Sequence, residues 1–180
     1  MDNNFFFKNK GPFSIKKIVE TCGDNAHSEK DSNIKIYNII DLFRAKENDI
    51  TFLNSIKYKE KSLKSEATAC ITNKDLAKYL PKNCLKILVD NVLLAAAKVS
   101  KLFYPDSDFD HLDKTLILSE KVKDKYVHVK FGKNVLIGDN IKIGKNTVIG
   151  NNSIIEHDVE IGENCSIGSF VLIKNSILEN

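Results

Sequence analysis

Between Phe131 and Asn152 the chain reads "FGKNVLIGDNIKIGKNTVIGNN", and an aliphatic or aromatic residue followed by Gly, a polar residue and Asn returns every six positions. Aligned in sixes, one column is Phe131, Ile137, Ile143, Ile149, Ile155, Ile161, Ile167 and Ile173, all large and apolar. The next column holds Gly132, Gly138, Gly144, Gly150, Gly162 and Gly168, which are six of the eight glycines in the chain, with Glu156 and Lys174 at the remaining places. Two places further on stand Asn134, Asn140, Asn146, Asn152, Asp158, Asn164, Phe170 and Ser176. The column two before the large one is mostly small or β-branched, from Val129 to Val171.

A period of six has a mechanical meaning. In V-x-I spacing both apolar residues share one face of a strand. A corner must follow each strand, and Gly, then Asn and Asp, are the residues that turn sharply at positive φ at least cost. Strand plus corner in six residues is too short for a hairpin, but it can coil with three sides per turn, so that each strand stacks on its counterpart one coil later. This is the hexapeptide β-helix. Eight hexads give fewer than three full coils. The preceding stretch, "TLILSEKVKDKYVHV", fits the frame poorly and is expected to form a degenerate first coil.

Residues 1–104 follow a different grammar, that of a small α/β domain. In "FSIKKIVETCG" Ile15, Ile18, Val19 and Cys22 fall on one helical face, with Ser14 as N-cap and Gly23 at the C-terminal end. Strand-like pieces follow: "NIKIYNI" with Ile34 and Ile36 alternating, then "DITFLN", "ATACIT" and "CLKILVD". "NVLLAAAKVSKLFYP" predicts a second helix, capped by Asn91 and stopped before Pro105. The Asp-rich segment 105–114 is expected to be a linker, and 115–180 the start of the β-helix.

Composition narrows the function classes. A net charge of +3 with lysines spread along the chain gives no basic arm for nucleic acid. Cys22, Cys70, Cys84 and Cys165 are widely spaced with no C-x-x-C, as expected of reduced thiols in a cytoplasmic protein. The stretch "MDNNFFFKNKGPF" falls far short of a signal-peptide h-region and no later apolar run approaches membrane-spanning length, so neither is expected, and no Walker loop or dinucleotide fingerprint occurs. A zinc site of the β-helix hydratase type needs three converging histidines, whereas only His128 and His157 lie in the coiled region, so no metal is expected.

With these elements in order, the chain resembles the UDP-3-O-(3-hydroxyacyl)glucosamine N-acyltransferases of lipid A biosynthesis. "NDITFLNSIKY", from Asn48 to Tyr58, is similar to the family's G-D-[IL]-[ST]-F-x-x-N-x-K-Y. "NVLLAAAKVSKLFYP" is similar to its N-P-x-x-A-x-A-x-x-x-x-F-Y-P helix, and the hexads then follow. The resemblance implies an α/β domain that binds the UDP-sugar, followed by a left-handed parallel β-helix. It also implies a homotrimer and acyl transfer from an acyl carrier protein thioester to the 2-amine of UDP-3-O-(3-hydroxyacyl)glucosamine, with no other cofactor. It assigns the uracil stack to Phe52 and Tyr58. The family's Asn falls on Ser55 here, with Asn54 one residue earlier, so either residue remains open as the polar contact.

The same resemblance places the family's essential His in a later coil than this sequence contains. The chain is therefore expected to be the N-terminal portion of such an enzyme and, alone, to lack transferase activity. His27 and His111 lie in polar segments and His128 in the irregular first coil. His157 occupies a corner and is followed by Asp158; an exposed turn residue is the expectation, and His157 is not assigned as the base. The competing readings are a non-catalytic UDP-sugar-binding or trimerisation fragment, and a hexapeptide sugar acyltransferase using acyl-CoA.

Overall fold

A computed structural model describes residues 6–28, 34–105, 107 and 112–179. The described residues form two compact units, one drawn from 7–109 and the other from 1–6 and 110–180. Half of the expected linker, residues 106 and 108–111 with His111, lies outside the described residues.

In the first unit, β1 (Phe13–Ser14) leads directly into α1 (Ile15–Cys22). The Ser14 hydroxyl accepts from the Lys17 N–H at 3.2 Å, and Gly23 closes the helix at φ 124°. The strands β2 (His27–Ser28), β3 (Lys35–Ile36), β4 (Asn38–Ile39) and β5 (Asp49–Leu53) come next. A short α2 (Lys59–Ser62), β6 (Ala69–Thr72), β7 (Leu85–Leu88) and α3 (Val92–Phe103) complete the unit. Asn91 caps α3 through the Leu94 N–H at 3.0 Å. The expected single strand "NIKIYNI" is divided: β3 pairs antiparallel with β1, while β4 joins the main sheet beside β5. Ile36 is fully buried on one sheet and Tyr37 is exposed at the break, a division that alternation alone does not mark.

The main sheet runs β2-β7-β6-β5-β4, parallel from β4 to β7 with β2 antiparallel at one edge. Ile50, Ile71 and Ile87, all at 0% exposure, cover one face and pack with Ile18 of α1 and Val99 and Phe103 of α3. On the other face Leu53 and Cys70 pack against Leu42, Leu76, Leu80 and Cys84. A central parallel strand covered on both sides is why "ATACIT" reads as a continuous apolar run.

The second unit is a parallel β-helix. Two-residue strands recur at β9 (Lys130–Phe131), β10 (Leu136–Ile137), β11 (Lys142–Ile143), β12 (Val148–Ile149), β13 (Ile154–Ile155), β14 (Glu160–Ile161), β15 (Ser166–Ile167), β16 (Leu172–Ile173) and β17 (Ile177–Leu178), after β8 (Ile117–Leu118). They form three sheets, β9-β12-β15, β8-β10-β13-β16 and β11-β14-β17. The second residue of each strand points inward: Ile137, Ile149, Ile155, Ile161 and Ile173 are buried, and Phe131, Ile143 and Ile167 pack partly buried against them. Thr147 and Ser153 fit inside because their hydroxyls donate to the Gly162 and Gly168 carbonyls, each at 2.9 Å.

The corner chemistry differs from expectation. The left-handed residues are Asn134, Asn140, Asn146, Asn152, Asp158, Asn164, Phe170 and Asn175, at φ 46–61°, and none of the hexad glycines has positive φ. The glycines are needed instead for clearance. A Cβ on Gly132 would lie 2.6 Å from the Asn151 amide oxygen, and one on Gly138 would lie 2.6 Å from the His157 backbone nitrogen. Successive coils thus approach closest over that column.

Two further departures sit at the ends. Residues 117–126 form no degenerate coil. β8 runs antiparallel on β10, and a 3-10 helix (Ser119–Tyr126) follows, its Tyr126 hydroxyl donating to the Ile141 carbonyl at 2.9 Å. At the other end Ile177 and Leu178 pair with Glu160 and Ile161, so the last corner is one residue short and turns at Asn175 rather than at Ser176.

Phe170 is the misfit of its column, 80% exposed at φ 59° where the stacked corners below carry Asn134 and Asn152, whose amides bond at 3.1 Å. Left-handed backbone costs a bulky residue about 1 kcal/mol more than it costs Asn or Gly. Phe170→Asn is therefore expected to raise the melting midpoint of the β-helix by a few degrees. A midpoint that stays level or falls in calorimetry contradicts this account of the corner.

Candidate functional site

β5 carries the residues that the sequence singles out. Along "DITFL" Ile50 faces the helices and Thr51 and Leu53 turn away. Strand alternation returns Phe52 to the helix-side face, where it remains 36% exposed beyond the packed core. The chain then turns through Asn54 and Ser55 into a 3-10 helix (Ile56–Tyr58) and α2. Phe52 and Tyr58 therefore sit at the carboxyl end of a parallel strand, the end at which open α/β sheets receive ligands.

Tyr58 is 47% exposed. Among the described residues its ring packs on Phe43, with centroids 5.9 Å apart and planes at 85°, and no ring contact joins it to Phe52. Phe52 and Tyr58 are thus two half-exposed aromatic surfaces flanking the Asn54–Ser55 turn, not a closed pair. The Ser55 hydroxyl accepts the Lys57 N–H at 3.3 Å as N-cap of the 3-10 helix. Asn54 is exposed and is not drawn into capping. Sequence reasoning missed Phe43. It lies in a turn with no period and no motif, and only its exposure in three dimensions distinguishes it.

The other quoted stretch serves the fold. Phe103 is fully buried and meets Phe13 edge-on at 5.1 Å, and the Tyr104 hydroxyl donates to Asn38 Oδ1 at 2.7 Å, fastening the end of α3 to β4. A depression of about 310 Å³ beside Cys22, Asn25, Val89 and Leu94 lies off the end of β7 instead of β5. Asp24 and Asp90 on its rim oppose a phosphate group.

In the β-helix, His157 Nδ1 lies 2.8 Å from Asp158 Oδ2, so the adjacent Asp does orient the ring. Asp158 Oδ1 accepts from Asn140 Nδ2 at 2.6 Å. The His157 backbone N–H donates to Asp113 Oδ2 at 2.8 Å, and the Thr115 hydroxyl donates to Asp113 Oδ1 at 2.6 Å. Burial raises the Asp113 carboxyl, but the Thr115 and His157 hydrogen bonds outweigh it and hold Asp113 below its usual 3.8. These bonds anchor the segment before β8 on the corner between β13 and β14. His27 and His128 are exposed. Among the described residues no cluster of three or more His, Cys, Asp or Glu could hold a metal ion, and no helix is long and apolar enough to cross a membrane.

All four cysteines are free. Burial pushes the Cys22 thiol from 9.0 up to about 11 against the opposing pull of Lys98, and pushes Cys84 up to about 11 against Lys86. Burial also raises Cys70 well above 9.0. An unfolded chain ionises its thiols near pH 9 while the folded one keeps these protons, so their contribution to stability is whole below 9 and is lost towards 11. At pH 8 a thiol reagent should label the half-buried Cys165 first, and all four only after denaturation; rapid native labelling of Cys70 contradicts the packing described.

Comparison with known proteins agrees with the two-part construction. Residues 33–102 match the family model of UDP-3-O-(3-hydroxymyristoyl) glucosamine N-acyltransferase, LpxD, and residues 140–175 match the bacterial transferase hexapeptide model. The chain is 34% identical over 131 residues to the UDP-3-O-acylglucosamine N-acyltransferase of Ruthia magnifica subsp. Calyptogena magnifica, covering 71% of this chain and 37% of that protein. It is 38% identical over 90 residues to the one from Vesicomyosocius okutanii subsp. Calyptogena okutanii (strain HA), covering 47% and 26%. It is 34% identical over 105 residues to that of Rickettsia prowazekii (strain Madrid E), covering 58% and 30%. The chain thus spans about a third of the length of the curated relatives it matches.

Proposed function

We propose that this relative of the UDP-3-O-acylglucosamine N-acyltransferases holds the nucleotide of a UDP-sugar on the Phe52–Tyr58 turn and belongs to an N-acyltransferase of lipid A biosynthesis. In that reaction the 2-amine of the sugar attacks a 3-hydroxyacyl thioester on acyl carrier protein, loses a proton and releases the carrier thiol. The observation that carries the reading is the pair of half-exposed aromatic side chains at the carboxyl end of β5. Aromatic faces left uncovered at a strand end are suited to stacking a planar base. Asn54 is the candidate we favour of the two, since its exposed amide offers uracil both a donor and an acceptor, whereas Ser55 Oγ also caps the turn. The cluster Lys57, Lys59 and Lys61 immediately beyond favours an anionic diphosphate. A cytoplasmic setting is supported by the four free thiols.

Titration of the chain with UDP by calorimetry tests this. Binding is expected, and Tyr58→Ala or Phe52→Ala should each weaken it by at least about tenfold, a loss on the order of 1–3 kcal/mol for a base stack. Asn54→Ala should weaken uridine binding and reduce preference over cytidine, whereas Ser55→Ala should act on the stability of the turn. Undiminished affinity in Tyr58→Ala removes the assignment.

The family relationship further supports a left-handed coil and a homotrimer. Support from this chain comes from the outward positions of the sheet β8-β10-β13-β16, which are Leu118, Leu136, Ile154 and Leu172, in register. The outward face of β11-β14 carries instead the Lys142–Glu160 ion pair at 3.2 Å. An aliphatic stripe on one outer face suits contact with another copy of the chain. Leu172→Asp, at a position 54% exposed, should lower the solution mass from trimer towards monomer without unfolding the coil; an unchanged mass in sedimentation contradicts the placement of the interface.

A further inference from the structure

We propose that Phe43 is the positioning residue of the uridine site: it braces the Tyr58 ring so that one face stands ready to receive the base. The inference rests on the uridine reading above and adds a residue that the motif does not contain.

An exposed phenylalanine needs a reason on a turn that is otherwise anchored in the core. Leu42 and Ala45 are 9% and 5% exposed, whereas Phe43 between them is 58% exposed. The turn that projects it is locked from within. Asp41 Oδ1 accepts the Phe43 N–H at 3.0 Å and the Arg44 N–H at 3.2 Å, and the Asp41 carbonyl accepts the Ala45 N–H at 3.0 Å. Arg44 Nε adds a 2.6 Å bond to Asp41 Oδ2. Phe43 therefore projects from a fixed base, with Leu42 anchored in the cluster that also holds Leu53, the last residue of β5.

Tyr58, by contrast, stands at the junction of the 3-10 helix and α2 and makes no capping bond with its side chain. Among the described residues its ring contact is the T-shaped one with Phe43, at 5.9 Å and 85°. Lys61 of α2 lies over the Phe43 ring, 5.3 Å from its centroid, and ties the same phenylalanine to the helix that follows Tyr58. An edge-to-face contact occupies at most one side of a ring, and Tyr58 keeps 47% of its surface free. A ring already held in the orientation it needs loses less side-chain freedom when a base stacks on it. Phe43 thus acts on the nucleotide through Tyr58, without touching it.

The test is a double-mutant cycle on the full chain, with UDP as the titrant and calorimetry as the readout. Phe43→Ala and Phe43→Leu should both weaken UDP binding by about two- to tenfold, the range of an aromatic pair contact. Phe43→Tyr, which keeps the ring edge, should restore wild-type affinity. Because Phe43 is mostly exposed, all three variants should stay folded at the titration temperature, with a midpoint lowered by no more than the loss of that one pair contact. In a Tyr58→Ala background, Phe43→Ala should cause no further loss. If Phe43→Ala binds UDP as wild type does while Tyr58→Ala does not, the bracing role is overturned and the uridine site stands. If the two losses add, Phe43 touches the nucleotide directly and the positioning role is overturned. If the wild-type chain does not bind UDP, the uridine reading itself falls, and this inference with it.

Discussion

The β-helix depends on one constraint: each coil must lie on the one before it at strand spacing, about 4.8 Å, while the backbone turns through a third of a circle every six residues. Both demands meet within the three-residue stretch from the Gly column to the Asn column. Clearance for the next coil excludes a Cβ at Gly132 and Gly138, and the turn itself requires a left-handed residue two positions on. Asn meets the second demand twice over. It tolerates positive φ, and its side-chain amide bonds to the corner one coil away, as Asn134 does to Asn152 and Asn146 to Asn164. The apolar ladder inside is a consequence, since corners held in register bring Ile137 over Ile155 and Ile173.

This explains how much of the coil was legible. Period, inward column and corner positions are written within six consecutive residues, so they can be read without knowing what lies above or below. The division of labour between Gly and Asn was not legible, because the glycine's role is set by atoms one coil later. The short last corner at Asn175 and the antiparallel β8 were hidden for the same reason. Ile177 and Ile117 look like ordinary strand residues until their partners, Glu160 and Ile137, are known. Only the departure of "TLILSEKVKDKYVHV" from the frame signalled that something else happens there.

In the first unit the helices were legible because their caps are local: Ser14 to Lys17 and Asn91 to Leu94 are each spaced three residues apart. The break between β3 and β4 was not, since a choice between two sheets is a tertiary matter. The candidate site divides in the same way. Phe52 and Tyr58 are marked by a linear pattern, whereas the capping role of the Ser55 hydroxyl, which sets it apart from Asn54, shows only in the bond to the Lys57 N–H. Phe43 belongs to no pattern at all; what reveals it is an exposed ring on a turn anchored by buried Leu42 and Ala45 and set against Tyr58.

The two units also differ in how they come by rigidity, and that bears on where binding can be built. The β-helix is stiff by repetition, and its outer positions can change from Lys130 to Val148 to Ser166 without disturbing the stack. The aromatic turn has no repeat to lean on. Three large apolar residues, Phe52, Ile56 and Tyr58, are exposed on a segment only seven residues long. Such a segment holds a shape only if it is clamped at both ends and braced from the side. Leu53, buried at 1%, clamps the strand end, and Ser62, fully buried with its hydroxyl on the Lys59 carbonyl, clamps α2. The Asp41 turn supplies the brace. A binding surface built this way can leave its aromatic faces open to solvent, because what fixes them lies behind and beside the rings and leaves the ligand side free.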